Sequence, residues 1–208
     1  MAVVDYGIGN LHSAHKALER MGADARLTAD PGLIADAAAV VLPGVGAFAA
    51  CMDALRSSGV EEAVRGAAAS GRPFLGICVG MQMLFGVSEE ADPSGRSVDG
   101  LGIVPGRVVW LPETVKRPQM QWNRLVVHTD DPMLDGLADD AWVYFVHSLH
   151  GVPDDPAVVV ATCDYGGVVN AAFRAGSVFA TQFHPEKSGA AALRLLDNFV
   201  RVAAGVSA

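Results

Sequence analysis

Along the first part of the chain, short unbroken apolar runs alternate with segments whose apolar residues recur every three or four positions. Ala2-Val3-Val4, Val40-Val41-Leu42 and the run from Pro73 to Cys78 read as buried strands, too short for helices and bounded by turn residues. Helical spacing follows each strand. Leu11, Ala14, Leu18 and Met21 predict a helix that Asn10 can cap and Gly22 ends. A helix from about Ala49 to Leu55 follows the second strand, and one from about Val60 to Ala69 leads into the third. Beyond Cys78, the residues Met81, Leu84 and Phe85 predict a helix that starts at the turn itself. This repeated grammar predicts a parallel sheet whose carboxyl-end turns gather on one edge, bringing Gly9, Gly46 and Cys78 into one crevice.

The texture changes after Asp92. From there to Pro118 the chain is rich in Pro and Gly, with short β-like runs such as Gly106–Leu111, and Met120-Gln121-Trp122-Asn123 reads as a polar-aromatic turn. Strands are expected at Leu125–Val127, Trp142–Val146, Ala157–Cys163, Val168–Arg174 and Val178–Gln182, joined by short turns. A last helix from Ala190 to about Val202 is expected to bury Leu193, Leu196 and Val200. With no repeat or low-complexity linker, residues 1–208 read as a single domain. The expected class is α/β: an open, mostly parallel central sheet with helices on both faces, and an added antiparallel or mixed strand portion in the C-terminal half.

Composition narrows the function. The chain is 51% hydrophobic and 18% charged, which suits a packed globular protein. A net charge of −8 without a basic run argues against nucleic-acid binding. The longest uncharged runs, Ala37–Met52 and Pro73–Ser88, are broken by Pro and Gly, so no membrane span is expected. The opening Met1–Asp5 lacks a basic n-region, so no targeting segment is expected and a cytoplasmic protein is the default. Cys51, Cys78 and Cys163 are widely spaced and odd in number, which suggests neither a disulfide framework nor a zinc site.

Gly76-Ile77-Cys78-Val79-Gly80 places a cysteine between two glycines at a strand-to-helix turn, the layout of a nucleophile elbow. A helix N-terminus there would favour thiolate over thiol. Taken alone, the pattern fits a buried structural cysteine as well. A nucleophilic thiol needs a base, and the base an orienting partner. Of the six histidines, His12 and His15 lie on the first helix, His128 follows a strand, and His147 and His150 flank Ser148-Leu149. His184 follows the last strand, and Pro185 keeps it extended, which aims His184 and Glu186 to the same side. Glu186 can then accept the second imidazole N–H and fix the tautomer. A lone His-Pro-Glu is more often a surface turn; with the Cys78 elbow it points to a Cys-His-Glu nucleophilic site. A rival reading is a nucleotide-binding module, because Gly44-Val45-Gly46-Ala47-Phe48-Ala49 satisfies G-x-G-x-x-A. That fingerprint needs an acid at the end of the next strand, where this chain has Cys78.

The elbow with Phe183-His184-Pro185-Glu186 resembles the class I, triad-type glutamine amidotransferases. Within them, Asp5-Tyr6-Gly7-Ile8-Gly9-Asn10-Leu11, Pro43–Phe48 and Tyr144-Phe145-Val146-His147-Ser148 are similar to the glutaminase subunits of imidazole glycerol phosphate synthase. The resemblance runs from about residue 2 to 200. It implies that Cys78 attacks the carboxamide of L-glutamine, that His184 handles the protons and that Glu186 orients His184. Backbone N–H groups of Val79 and of the Gly44-Val45-Gly46 turn form the oxyanion hole, and the glycines about Val45 let that turn change state. Gln82 and the Ser148-Leu149 backbone hold the substrate's ends. The ammonia passes to a (β/α)8 cyclase subunit for imidazole glycerol phosphate formation in histidine biosynthesis, and Asn10, Trp122, Asn123, Tyr144 and Lys187 match positions near the docking face. No cofactor is implied. Gln121 stands where relatives usually carry Gly, and Leu149 where an aromatic is common. Another ammonia-supplying subunit shares the triad, but the Asp5–Leu11 opening and Val45 between its glycines speak against it. A protease-like hydrolase of the same fold would need neither Gln82 nor the Pro43–Gly46 turn.

Overall fold

The computed structural model describes residues 1–138 and 141–205. In chain order the elements begin β1 (Ala2–Val4), α1 (Leu11–Arg20), β2 (Arg26–Thr28), α2 (Pro31–Asp36), β3 (Val40–Gly44), α3 (Phe48–Ser57), α4 (Glu61–Ala69), β4 (Phe74–Cys78) and α5 (Val79–Gln82). Then come β5 (Val87–Ser88), β6 (Gly106–Trp110), β7 (Gln119–Arg124), β8 (Val126–Val127), β9 (Trp142–His147), β10 (Leu149–Pro153), β11 (Val159–Asp164), β12 (Val168–Ala175), β13 (Val178–Thr181) and α6 (Gly189–Ala203).

The main sheet has eight strands in the order β2-β1-β3-β4-β13-β12-β11-β8. From β2 to β13 every neighbour is parallel, and β12, β11 and β8 continue it antiparallel. The chain steps one way from β1 to β2, then crosses back to β3 and on to β4. Because such crossovers are right-handed, that reversal sends α1 to one face and α2, α3 and α4 to the other. The packing agrees: α1 lies on α6, and α2 on α4. Strands β3, β4 and β13 are buried along most of their length, as their unbroken apolar runs require. Two smaller sheets, β10-β6-β5 and β7-β9, supply the added strand portion.

Several elements differ from expectation for local physical reasons. Strand β2 and helix α2 have weak apolar patterns; β2 is an edge strand, and α2 is set by Asp30, whose Oδ1 accepts from Gly32 N–H (2.7 Å) and Leu33 N–H (3.1 Å) ahead of Pro31. Asn10 sits at the N-cap of α1, but its Oδ1 accepts the Ser13 hydroxyl (2.8 Å) and no backbone N–H. Residues 120–123 are no turn: they lie inside β7, paired antiparallel to β9, and their mostly exposed ribbon leaves no inside-outside alternation to read. Strand β11 starts later than expected because Pro156–Val158 forms a 3-10 turn capped by Asp155. In α6 the buried stripe is Ala192, Leu195, Leu196 and Phe199; Leu193 and Val200 flank it and are only partly buried.

Candidate active site

The site begins where β4 ends. Cys78 holds φ 55° and ψ −114°, and among the described residues no other non-glycine has a positive φ. Such a backbone costs about 1–3 kcal/mol and persists only where its surroundings enforce it. The surroundings here are backbones in contact. A Cβ on Gly80 would collide with the Leu42 carbonyl, and one on Gly44 would lie 2.5 Å from the Gly80 nitrogen. The elbow therefore packs directly on the end of β3.

Helix α5 is a single turn, shorter than the pattern of Met81, Leu84 and Phe85 suggests. The carbonyls of Met83, Leu84, Phe85 and Gly86 accept N–H groups from residues 100–104, so the helix ladder cannot continue. Arg65 donates to the Leu101 carbonyl and Arg56 to that of Asp99 (2.7 Å), gripping the loop that ends the helix. One turn carries little macrodipole. The positive charge beside the thiol has to come from elsewhere.

It comes from His184. Strand β13 runs parallel to β4 with Thr181 opposite Ile77, so the chain leaving β13 emerges beside the elbow. The His184 N–H donates to the Tyr144 carbonyl (3.1 Å), and the Ser188 hydroxyl donates to the His184 carbonyl (2.6 Å) while accepting from Tyr144 N–H (2.8 Å). Ser188, unmarked by any motif, thus bolts the His184 segment to β9. His184 Nδ1 and Glu186 Oε1 are 2.8 Å apart with both side chains buried. The carboxylate arrives by one 3-10 turn, Pro185–Lys187, and not along an extended chain as expected. Burial alone would lower the His184 pKa, but interaction with Cys78 and with the Glu186 carboxylate outweighs it and raises the pKa to about 9. With Nδ1 on Glu186, Nε2 is buried without a hydrogen-bond partner on the cavity wall that His184 shares with Cys78.

That cavity has a volume of about 260 Å³ and is lined by Val45, Gly46, Val79, Gln82, Ser148 and Leu149 as well as by Cys78 and His184. Cys78 is only 2% exposed, yet it faces this cavity and is not sealed in the core. The Asp5–Gly9 turn does not join it; instead the Tyr6 hydroxyl reaches toward the site from beneath.

A polar network sets the far wall. Gln82 Nε2 donates to the Leu149 carbonyl (2.9 Å) and to Gln182 Oε1 (3.0 Å), and Gln182 Nε2 points at Cys78 Sγ (3.7 Å). Both of Gln82's amide hydrogens are thereby committed, which leaves its oxygen for the cavity. The Leu149 carbonyl also meets His147 Nδ1 (2.7 Å). Burial lowers the His147 pKa to about 4, so the ring is neutral, Nδ1 donates to Leu149, and Nε2 must accept. Gln119 Oε1 lies 3.0 Å from Nε2, and turning this amide over to bring its otherwise unpartnered NH2 to the ring gives the neutral imidazole the donor it needs. Sequence reasoning missed Gln182 and Gln119. Gln182 was within reach, because it alternates with His184 along the chain as a residue of the same side.

Glu90 also lines the cavity, and its Oε2 accepts the Phe48 N–H (2.7 Å) at the start of α3. A carboxylate thus occupies the helix N-terminus where a nucleotide's phosphate would have to sit. Together with the missing ribose acid, this rules against the dinucleotide reading of Gly44–Ala49. Among the described residues no group of His, Cys, Asp or Glu is arranged to hold a metal, and no helix is long and apolar enough to cross a membrane.

Of the expected docking residues, Trp122 and Tyr144 stack edge to face (6.2 Å, 61°) on one face of the β7-β9 ribbon, with Met120, Trp142 and Val146 on the same face. Lys187 is exposed nearby in sequence to His184, and Asn10 is half-buried. Asn123 points elsewhere: its Nδ2 donates to the Asp164 carbonyl (2.8 Å).

The chain can now be placed among known proteins. Residues 2–203 match the family model "Glutamine amidotransferase class-I". Over 204 residues it is 52% identical to imidazole glycerol phosphate synthase subunit HisH of Halobacterium salinarum, covering 96% of this chain and 92% of the relative. The same subunit of Synechococcus strain JA-3-3Ab is 50% identical over 208 residues, covering 98% and 94%. A solved glutamine amidotransferase superposes with a TM-score of 0.73 at 22% identity, over 99% of both chains, which speaks to the fold. By family model and by full-length relatives, this chain belongs to the class-I glutamine amidotransferases and, within them, to the HisH subunits of imidazole glycerol phosphate synthase.

Proposed function

We propose that this chain hydrolyses the side-chain amide of L-glutamine through Cys78 and passes the ammonia to a cyclase subunit, which forms imidazole glycerol phosphate in cytoplasmic histidine biosynthesis. The observation that carries the reading is the strained Cys78 elbow and the His184–Glu186 pair facing one cavity. A cationic imidazole beside a thiol is the arrangement that makes sulfur nucleophilic. Cys78 Sγ adds to the carboxamide carbon, and the carbonyl electron pair moves onto oxygen. The Val79 N–H and an N–H of the Gly44-Val45-Gly46 turn hold that oxyanion. When the intermediate collapses the C–N bond breaks, and His184 Nε2 gives its proton to the departing nitrogen. The now neutral ring takes a proton from water as the water oxygen adds to the thioester carbon. A second collapse releases glutamate and returns the sulfur to its starting state.

Glu90 and the free oxygen of Gln82 complement the substrate's α-ammonium, and the Ser148-Leu149 backbone complements its carboxylate. The aromatic face of β7-β9, Tyr144 included, is the surface for the cyclase, with Lys187 beside it; Val146, also on β9, lies against the thiol (Cys78 Sγ is 4.0 Å from its carbonyl). The experiment is a steady-state glutaminase assay of the isolated chain, repeated with the cyclase and its phosphoribosyl ligand. The expected rise is on the order of a hundredfold, the worth of completing an oxyanion hole. Equal rates would remove the idea that the partner sets the turn; no hydrolysis under either condition would sink the glutaminase itself.

A further inference from the structure

Two buried side chains meet behind the Pro43–Gly46 turn, and neither has a role in the chemistry above. The Tyr6 hydroxyl donates to the Pro43 carbonyl (2.8 Å), and the Cys51 thiol donates to the Val45 carbonyl (3.3 Å). Burial pushes the Cys51 thiol up to about 11 and raises Tyr6 as well, so both remain proton donors at neutral pH.

The carbonyls they hold belong to the peptides on either side of Gly44–Val45. That middle peptide has no side-chain grip: its Gly44 carbonyl meets the Val79 N–H at the end of the β3-β4 ladder, where Gly44 pairs with Cys78, and its Val45 N–H donates to no group among the described residues. Gly44 itself cannot move bodily, because a Cβ there would already lie 2.5 Å from the Gly80 nitrogen and 2.9 Å from the Tyr6 oxygen. Inverting one peptide changes ψ of the residue before it and φ of the residue after it. With both neighbours pinned, the freedom left is ψ of Gly44 and φ of Val45. Glycine turns at little cost, whereas a β-branched residue driven to positive φ is strained. The turn thus has one movable unit with an uphill side.

We propose that Cys51 and Tyr6 are positioning residues that clamp the peptides flanking Gly44–Val45, so that any change of state in the oxyanion turn is confined to that single peptide. The inference rests on the glutaminase reading above. Because the clamp would act on the reacting centre only through an N–H that meets the oxyanion, it should govern kcat and leave glutamine binding alone.

The test is steady-state glutamine hydrolysis by the complex with the cyclase and its ligand, comparing wild type with Cys51→Ala, Cys51→Ser and Tyr6→Phe. Unfolding midpoints are measured alongside. The expected result is a roughly tenfold lower kcat for Cys51→Ala with KM within about twofold, the size of effect one neutral hydrogen bond supports. Cys51→Ser, which keeps a donor, recovers most of that loss, and Tyr6→Phe loses kcat in the same way. Wild-type kcat in Cys51→Ala or Tyr6→Phe overturns the clamp. So does a Cys51→Ser variant as impaired as Cys51→Ala, since the thiol would then act by filling space. A wild-type complex that fails to hydrolyse glutamine sinks the parent reading, and the clamp with it.

Discussion

Cys78→Ser is expected to abolish glutamine hydrolysis, with kcat down by roughly three orders of magnitude or more, while the protein stays folded. A serine hydroxyl is a far weaker nucleophile than a thiol beside an imidazolium, and the other hydroxyl on the cavity wall, Ser148, is no stronger. Serine is only slightly smaller than cysteine and meets the same demand for a positive φ at residue 78, so Tm should move by no more than about 3 °C. Steady-state turnover with and without the cyclase, plus labelling by a glutamine-like electrophile, checks this directly. Retained turnover, or a label found on Cys51 or Cys163, would mean that the elbow has been misassigned. All three thiols are buried, so a label on Cys78 alone requires the cavity to lead the reagent to that sulfur and not to the other two.

The second large effect concerns His184. His184→Asn should cost about a thousandfold or more in kcat, because proton delivery to the departing nitrogen is lost. Glu186→Gln should cost less, roughly ten- to a hundredfold, since its amide oxygen can still accept from Nδ1 and hold the ring. Its signature lies in pH. The folded pKa of His184 is raised from 6.5 to about 9, so the charged ring is fully present below its unfolded value and is lost as pH rises through 9. The alkaline limb of kcat/KM should fall there. Replacing the carboxylate removes one of the causes of that rise, so the limb should move to lower pH, and stability should decline earlier on the alkaline side. A Glu186→Gln profile superposable on wild type, or a loss as deep as that of His184→Asn, would show that Glu186 does something other than orient the ring.

Much of this site was legible because its requirements are local. The elbow needs glycines around one cysteine, and β3, β4 and β13 must be apolar on both faces to lie inside a parallel sheet. Those demands leave marks within a few residues. What escaped notice depends on distant chain. Helix α5 stops after one turn because residues 100–104 take its carbonyls, and no propensity within α5 records that. Ser188 and Gln119 matter only through β9, and the ribbon at residues 120–123 reads as a turn because its exposed aromatics lack a core to alternate against. Glu186 was assigned the right partner by the wrong geometry, since a 3-10 turn delivers the carboxylate where an extended strand was expected.

One consequence of the β7-β9 ribbon reaches the spectroscopist. The chain has three tryptophans, and Trp110, Trp122 and Trp142 are 39, 46 and 54% exposed, so the apolar interior contains none. Indole emission from this protein therefore reports on its rim: melting of the main sheet leaves it comparatively quiet, while anything that covers the ribbon shifts it.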